Sequence, residues 1–160
     1  MREHWDELCH LFEILCYLVE KPYGHRIDVY FTPNRKIFNN ISVSSLVELC
    51  QMRKIFLRGL ADVAAPLEHI LEEYCRDLKD EVESKKRWYP KVPPLSIYVL
   101  TNALWRKNSD PEAAIKNAVD SLTTLAYPPS QVGIQFISFG ENPDTFKRLE
   151  NYDSGLGLKM

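Results

Sequence analysis

Two groups of residues have types and spacing that could do chemistry. The first lies in HWDELCH, where His4, Glu7 and His10 follow one another at steps of three with Asp6 alongside. Imidazoles and carboxylates are zinc ligands, and zinc hydrolases present them as HExxH, with the histidines four apart on one helix face. Steps of three drift by about 60° per pair around a helix and converge poorly on one ion. The segment therefore reads as the start of an amphipathic helix whose early acids suit the positive end of the dipole. The second group closes LSIYVLTNALW (95–105), where a strand-like run through Leu100 and Thr101 ends in polar Asn102. Open α/β sheets hold their ligands outside the carboxyl ends of the strands, so Thr101, Asn102 and Ala103 stand where such a crevice would be.

Little in the sequence completes a catalytic set around them. His25 falls in a turn, and His69 falls on a long helix without a Cys or Ser partner in sequence. There is no GxGxxG, no GxxxxGK[ST] and no GxSxG, which argues against a dinucleotide fold, a P-loop NTPase and an α/β-hydrolase. An enzyme acting at Asn102 needs a nucleophile or an acid–base pair, and the adjacent loops offer only Asp62 and Trp105. Charge narrows the partners further. Lys and Arg total 20 against 22 Asp and Glu, the net charge is −2, and no run of five like charges occurs. Nucleic acid and anionic membrane are not indicated as partners, and RKIF and SKKRWYP read as solvated turns or helix ends. No apolar run approaches the ~20 residues that span a bilayer. Cys9, Cys16, Cys50 and Cys75 form no CxxC pair, and MREHWDE does not open as a secretory signal. Reduced thiols and a cytoplasmic setting are the expectation.

Periodicity predicts a helix over 2–20. Trp5, Leu8, Cys9, Phe12, Leu15, Cys16 and Val19 form its apolar stripe, Leu11, Ile14 and Leu18 widen it, and Pro22 and Gly24 stop it. RIDVYFT (26–32) alternates as a strand, and KIFNNIS is a weaker one beyond a turn at Pro33 and Asn34. A helix over 45–54 precedes a break at Gly59. A long helix over 63–86 carries Val63, Leu67, Ile70, Leu71, Tyr74, Leu78 and Val82 inward and an acidic face outward. The strand 95–101 follows YPKVPP. Asp110 and Pro111 then open a helix to about 126, with Ile115, Ala118, Val119, Leu122 and Leu125 inward. QVGIQFISFG is a buried strand, and Asn142-Pro143-Asp144 opens a short final helix. This alternation predicts a single α/β domain over 1–160, a three-layer sandwich with a mainly parallel sheet.

SIYVLTNALW, followed by a Pro-flanked helix and by VGIQFISFGENPDTFKRLENYDSGLG, resembles the C-terminal half of a von Willebrand factor A (vWA) domain. The similarity is to the fungal vWA-domain proteins, in which the stretch runs along hxVLTDGxW, VGIQFIxFGxD and LDDxLG. HWDELCHLFEILCYLVEK and IDVYFT are similar to the first helix and second strand of that group. The resemblance implies a Rossmann-like fold and a protein-binding role.

It also implies a metal-ion-dependent adhesion site, which here is degenerate. The family's DxSxS loop and the strand before it fall ahead of Met1. Its second-loop Thr corresponds to Ala61 in GLADV, and its third-loop Asp corresponds to Asn102. A hard cation needs several fixed oxygen ligands, so no Mg²⁺, Mn²⁺ or other cofactor is expected. Asp62 is expected to cap a helix. On this reading the chain lacks the family's first, central strand and its last strand. Its sheet then either closes 27–32 onto 96–101 or leaves open edges that recruit a strand, possible within a homo-oligomer by strand sharing. The expected function is a non-enzymatic protein–protein interaction module with its partner crevice at Gly59, Ala61, Asp62, Thr101, Asn102 and Ala103. The alternatives are a small-molecule enzyme using the same crevice and a truncated fragment with no function of its own.

Overall fold

Apolar residues at steps of three and four wind the first segment into α1 (Trp5–Tyr23). The structure, a computed structural model, describes residues 4–23, 27–32, 36–42, 45, 62–84, 91–102, 108–140 and 143–152. Asp6 and Glu7 occupy the first turn of α1. Trp5, Leu8 and Cys16 are buried, with Cys9 and Phe12 half-buried beside them. The helix runs past Pro22, because a proline in the last turn removes one N–H bond without stopping the turn already formed. Ile14 and Leu18 do not widen the buried stripe. At 100° per residue Ile14 lies opposite Trp5 and Cys16, and Leu18 is 58% exposed.

β1 (Ile27–Phe31) and β2 (Lys36–Ile41) pair antiparallel, as a short connection requires. The register shifts between Ile27 and Val29. Opposite the shift, Asn40 takes a positive φ of 61°, and its N–H donates to Asp28 Oδ1 at 2.7 Å. Asn tolerates that region better than most residues, which suits it to a bulge. Val29 and Ile41 are buried in one cluster with Trp5, Leu8 and Cys16 of α1.

α2 (Ala64–Ser84) buries Leu67, Leu71 and Leu78 and carries Pro66 in its first turn. Val82, expected inward, is exposed, since α2 meets its neighbours at Leu67, Leu71 and Cys75, nearer its start. β3 (Leu95–Thr101) and β4 (Val132–Ser138) pair in parallel, from Leu95 opposite Val132 to Thr101 opposite Ser138. The crossover between them is α3 (Glu112–Thr124), whose Ala114, Ile115, Ala118 and Leu122 are buried. Pro111 already has helical dihedrals, and Asp110 Oδ1 accepts the Glu112 N–H at 3.0 Å as a cap. Ile97, Ile134 and Phe136 pack on α2 and α3. Strand alternation turns Leu100 the other way, and it joins Phe139 in the cluster under α1. α4 (Pro143–Glu150) leads into Tyr152, whose ring stacks on Phe136 at 5.4 Å.

The expected single, mainly parallel sheet is not what the described residues form. They make two sheets of two strands, β1–β2 antiparallel and β3–β4 parallel, and β1 does not pair with β3. A hairpin satisfies one side of each of its strands, and among the described residues no ladder joins β1 to β3. The helix predicted over 45–54 lies outside the described residues, apart from Ser45.

Gly140, with φ of +95°, sits where a Cβ would come within 3.2 Å of His4 Nε2. Gly140→Ala should lower unfolding stability by about 1–3 kcal/mol in denaturant titration, and His4→Ala in the same background should restore only the contact share, leaving the backbone strain.

Candidate functional site

The end of β3 and the start of α2 form the region that the sequence singles out. Val63, the residue before α2, packs with Val99 and Phe136. Thr101 and Ser138 lie two residues further along the same strand faces, so Asp62 and Thr101 share one end of the β3–β4 pair. Thr101 is buried, and its carbonyl accepts the Phe139 N–H at 2.9 Å. Asn102 is half-buried and engaged with other groups of the molecule. The Ser138 hydroxyl oxygen, beside Thr101, is buried and finds no hydrogen-bond partner among the described residues. Gly59, Ala61 and Ala103 lie outside the described residues.

The carboxylate of Asp62 is structural in its contacts. Its Oδ1 accepts the Ala65 N–H at 3.4 Å and the Ser109 hydroxyl at 2.8 Å. Ser109 Oγ in turn accepts the N–H groups of Val63 at 2.7 Å and Ala64 at 3.2 Å. Three N–H groups at the start of α2 are thus satisfied, two of them by a serine that is only 2% exposed. Pro66, next in line, has no N–H to offer. An anion therefore meets no ready row of donors at this helix end. Ser109 was not legible in the sequence, where a Ser before Asp-Pro signals the helix that follows it and not one that began 46 residues earlier.

A second concavity lies between the β1–β2 hairpin and the start of α2. It measures about 280 Å³ and is lined by Tyr30, Phe31, Thr32, Ile37, Asp62, Ala65, Pro66 and His69. Its titratable groups are partly committed elsewhere: Asp62 to the cap, and His69 to Glu73 at 3.6 Å. Burial first, then the charges of Asp28 and Glu73, hold the Tyr30 phenol above its ordinary value, so it faces the groove as a neutral donor.

The N-terminal group resolves as a side-chain contact between His4 and Glu7. His4 Nδ1 meets Glu7 Oε2 at 3.2 Å, while His10 is exposed. Among the described residues no three His, Cys, Asp or Glu side chains come together as a metal-holding group. At the far end of β4, Tyr152 donates its hydroxyl to Asp110 Oδ1 at 2.9 Å. Burial above all, then the hydrogen bond to Asp110 and that carboxylate's charge, push this phenol far up, with Arg148 opposing weakly.

Comparison with protein-family models, curated proteins and solved structures finds no match to this chain.

Ser109→Ala should cost about 1–3 kcal/mol of unfolding stability, because a buried and a part-buried N–H lose their acceptor while the Asp62 carboxylate loses one of its donors. A raised phenol favours the folded state while it keeps its proton. The Tyr152 contribution is therefore intact below the ordinary tyrosine value of 10.0 and is lost as pH rises from there toward the higher folded value. Thermal melts above pH 10 should fall more steeply for the wild type than for Tyr152→Phe.

Proposed function

We propose that this chain is a non-enzymatic protein–protein interaction module, a vWA-like α/β domain that does not use a metal-dependent adhesion site. The observation that carries this reading is the divided sheet. Among the described residues β1 and β3 each have one hydrogen-bonded neighbour, so each has an edge able to accept another strand. The layering supports the vWA-like part, since α2 and α3 pack on one face of β3–β4 while Leu100, on the other face, joins the α1 cluster.

The residues at the crevice do not fit a hard cation. Asp62 supplies its Oδ1 to the cap of α2, and Asn102 is uncharged. That leaves too little anionic oxygen for Mg²⁺ or Mn²⁺, and no step of the function is routed through a metal. The partner surface is the end of β3 at Thr101, Asn102 and Ala103 with the loop at Gly59–Asp62, and the strand edge beside it is the second contact. Cys9, Cys16 and Cys75 form no disulfide among the described residues. No helix among the described residues is long and apolar enough to cross a membrane. The groove at Tyr30 and His69 is the one feature favouring the rival small-molecule reading, and the prior commitments of Asp62 and His69 weaken it as an acid–base site.

Calorimetric titration with Mg²⁺ and Mn²⁺, alongside the solution mass by light scattering, tests the proposal. Neither ion should give binding heat or change the mass; saturable binding of either overturns it.

A further inference from the structure

The groove between the β1–β2 hairpin and the start of α2 combines apolar walls with negative charge. Tyr30 and Ile37, cross-strand partners in the hairpin, form its floor. Ala65, Pro66 and His69, from the first two turns of α2, form the wall opposite. Its volume, about 280 Å³, falls below the roughly 300–1,000 Å³ of pockets that enclose drug-sized ligands, and it suits a single long side chain. Ala65 and His69 are exposed, and Ile37 is 49% exposed although apolar, so the floor is within reach of a partner.

Asp62 closes one end of the groove. The Ala65 N–H and the Ser109 hydroxyl that its carboxylate accepts are neutral, so the cap does not cancel its charge. Glu73 follows His69 by one turn, its Oε2 lying 3.6 Å from His69 Nε2. Among the described residues, the charges that raise the Tyr30 phenol are those of Asp28 and Glu73, and both are negative. Such a field repels an anion, and a neutral apolar ligand makes no use of it. A cation on an apolar stem uses both features, its charge against the carboxylates and the ring face, its stem against the apolar floor. Arginine meets these terms better than lysine, because its planar guanidinium is weakly hydrated, stacks on aromatic faces and forks onto carboxylates.

We propose that this groove is a docking site for an arginine side chain of a protein partner, its stem along Ile37 and Pro66 and its guanidinium directed to the Tyr30 ring and the carboxylates of Asp62 and Glu73. The proposal rests on the interaction-module reading and names the partner's chemistry, a basic segment, which the net charge of −2 also favours. The groove adjoins the partner surface at the end of β3, since Asp62 belongs to both. It asks only for charge and a ring face, so the engagement of Asp62 in the cap of α2 does not count against it.

The test is an NMR titration of the chain with three probes: N-acetyl-Ala-Arg-Ala amide, its citrulline counterpart of the same shape without the charge, and ethylguanidinium. The arginine peptide should shift the amides of Tyr30, Ile37, Ala65 and His69 saturably in the millimolar range, with the citrulline peptide about fivefold weaker or more. Glu73→Gln, at an exposed position outside the cap, should weaken the arginine peptide about threefold or more. Ala65→Leu, which fills the groove from an exposed helix position, should abolish its binding; should that variant disturb the fold, Glu73→Gln decides alone. Absence of saturable shifts at these residues overturns the site, and so does a Glu73→Gln variant that binds as the wild type does. Equal binding of the citrulline peptide overturns the preference for a cation. Ethylguanidinium binding more tightly than the tripeptide makes a free small cation the occupant and overturns the protein side chain. Binding of Mg²⁺ or Mn²⁺, by contrast, defeats the interaction-module reading, whereas a silent groove leaves that reading standing.

Discussion

Burial beneath α1 is the constraint on which the rest of the arrangement depends. The β1–β2 hairpin and the β3–β4 pair share no hydrogen-bonded ladder, yet Val29 and Ile41 of one and Leu100 of the other enter a single cluster with Trp5, Leu8 and Cys16. A two-stranded hairpin is marginal in water by itself. Each large apolar side chain fully buried contributes about 1.5–3 kcal/mol, so a handful of contacts on one helix face is enough to fix the hairpin. The cost shows on the opposite face of α1, where Ile14 and Leu18 remain exposed.

Elsewhere, single side chains make several long-range polar connections. Tyr74 donates to the Pro93 carbonyl at 2.6 Å, Gln131 donates to Tyr74 at 2.7 Å, and the Val92 N–H reaches Glu81 at 2.7 Å. Together they hold the chain entering β3 against α2 and the turn before β4. Tyr152 does the equivalent at the other end, tying the exit of α4 to the start of α3 through Asp110. The open edge of β3 is thus braced at both ends of its own pair while its outer side meets no strand among the described residues. A preformed edge of this kind loses little further conformational freedom on accepting a strand.

How much of this the sequence disclosed depends on range. The strand 95–101 and the capping of α3 by Asp110 were readable because alternation and an Asp-Pro start are local signals. The stripe of α2 is legible as far as Leu78, whereas periodicity places Val82 inward because it reports a face, not how far along it the neighbours extend. Ile14 and Leu18 differ for a related reason: apolar residues beside the stripe do not say by themselves which side meets a neighbour. The sequence leaves open whether 27–32 closes onto 96–101 or keeps an open edge, since that pairing depends on tertiary position and not on the pattern of either strand. At the crevice, Asp62 was legible as a cap, but its shared partner Ser109 was not. Thr101 and Asn102 were legible by position at a strand end, while Ser138 stood out only once the register with β4 was known.

The Ser109 cap has a consequence for the order in which the molecule can assemble. The first turn of α2 is completed by a hydroxyl 46 residues downstream. On a growing chain, residues 62–84 are made well before that serine arrives, and β3 lies between them. Until the segment beyond β3 folds back, the Asp62 carboxylate caps the start of α2 locally through the Ala65 N–H, and the Ser109 contact, being of long span, carries a loop-closure penalty that slows its formation. The helix that organises the β3–β4 pair thus receives its own first turn from a residue beyond that pair's first strand. The start of the helix is thereby coupled to the segment beyond that strand through one long-range side-chain contact.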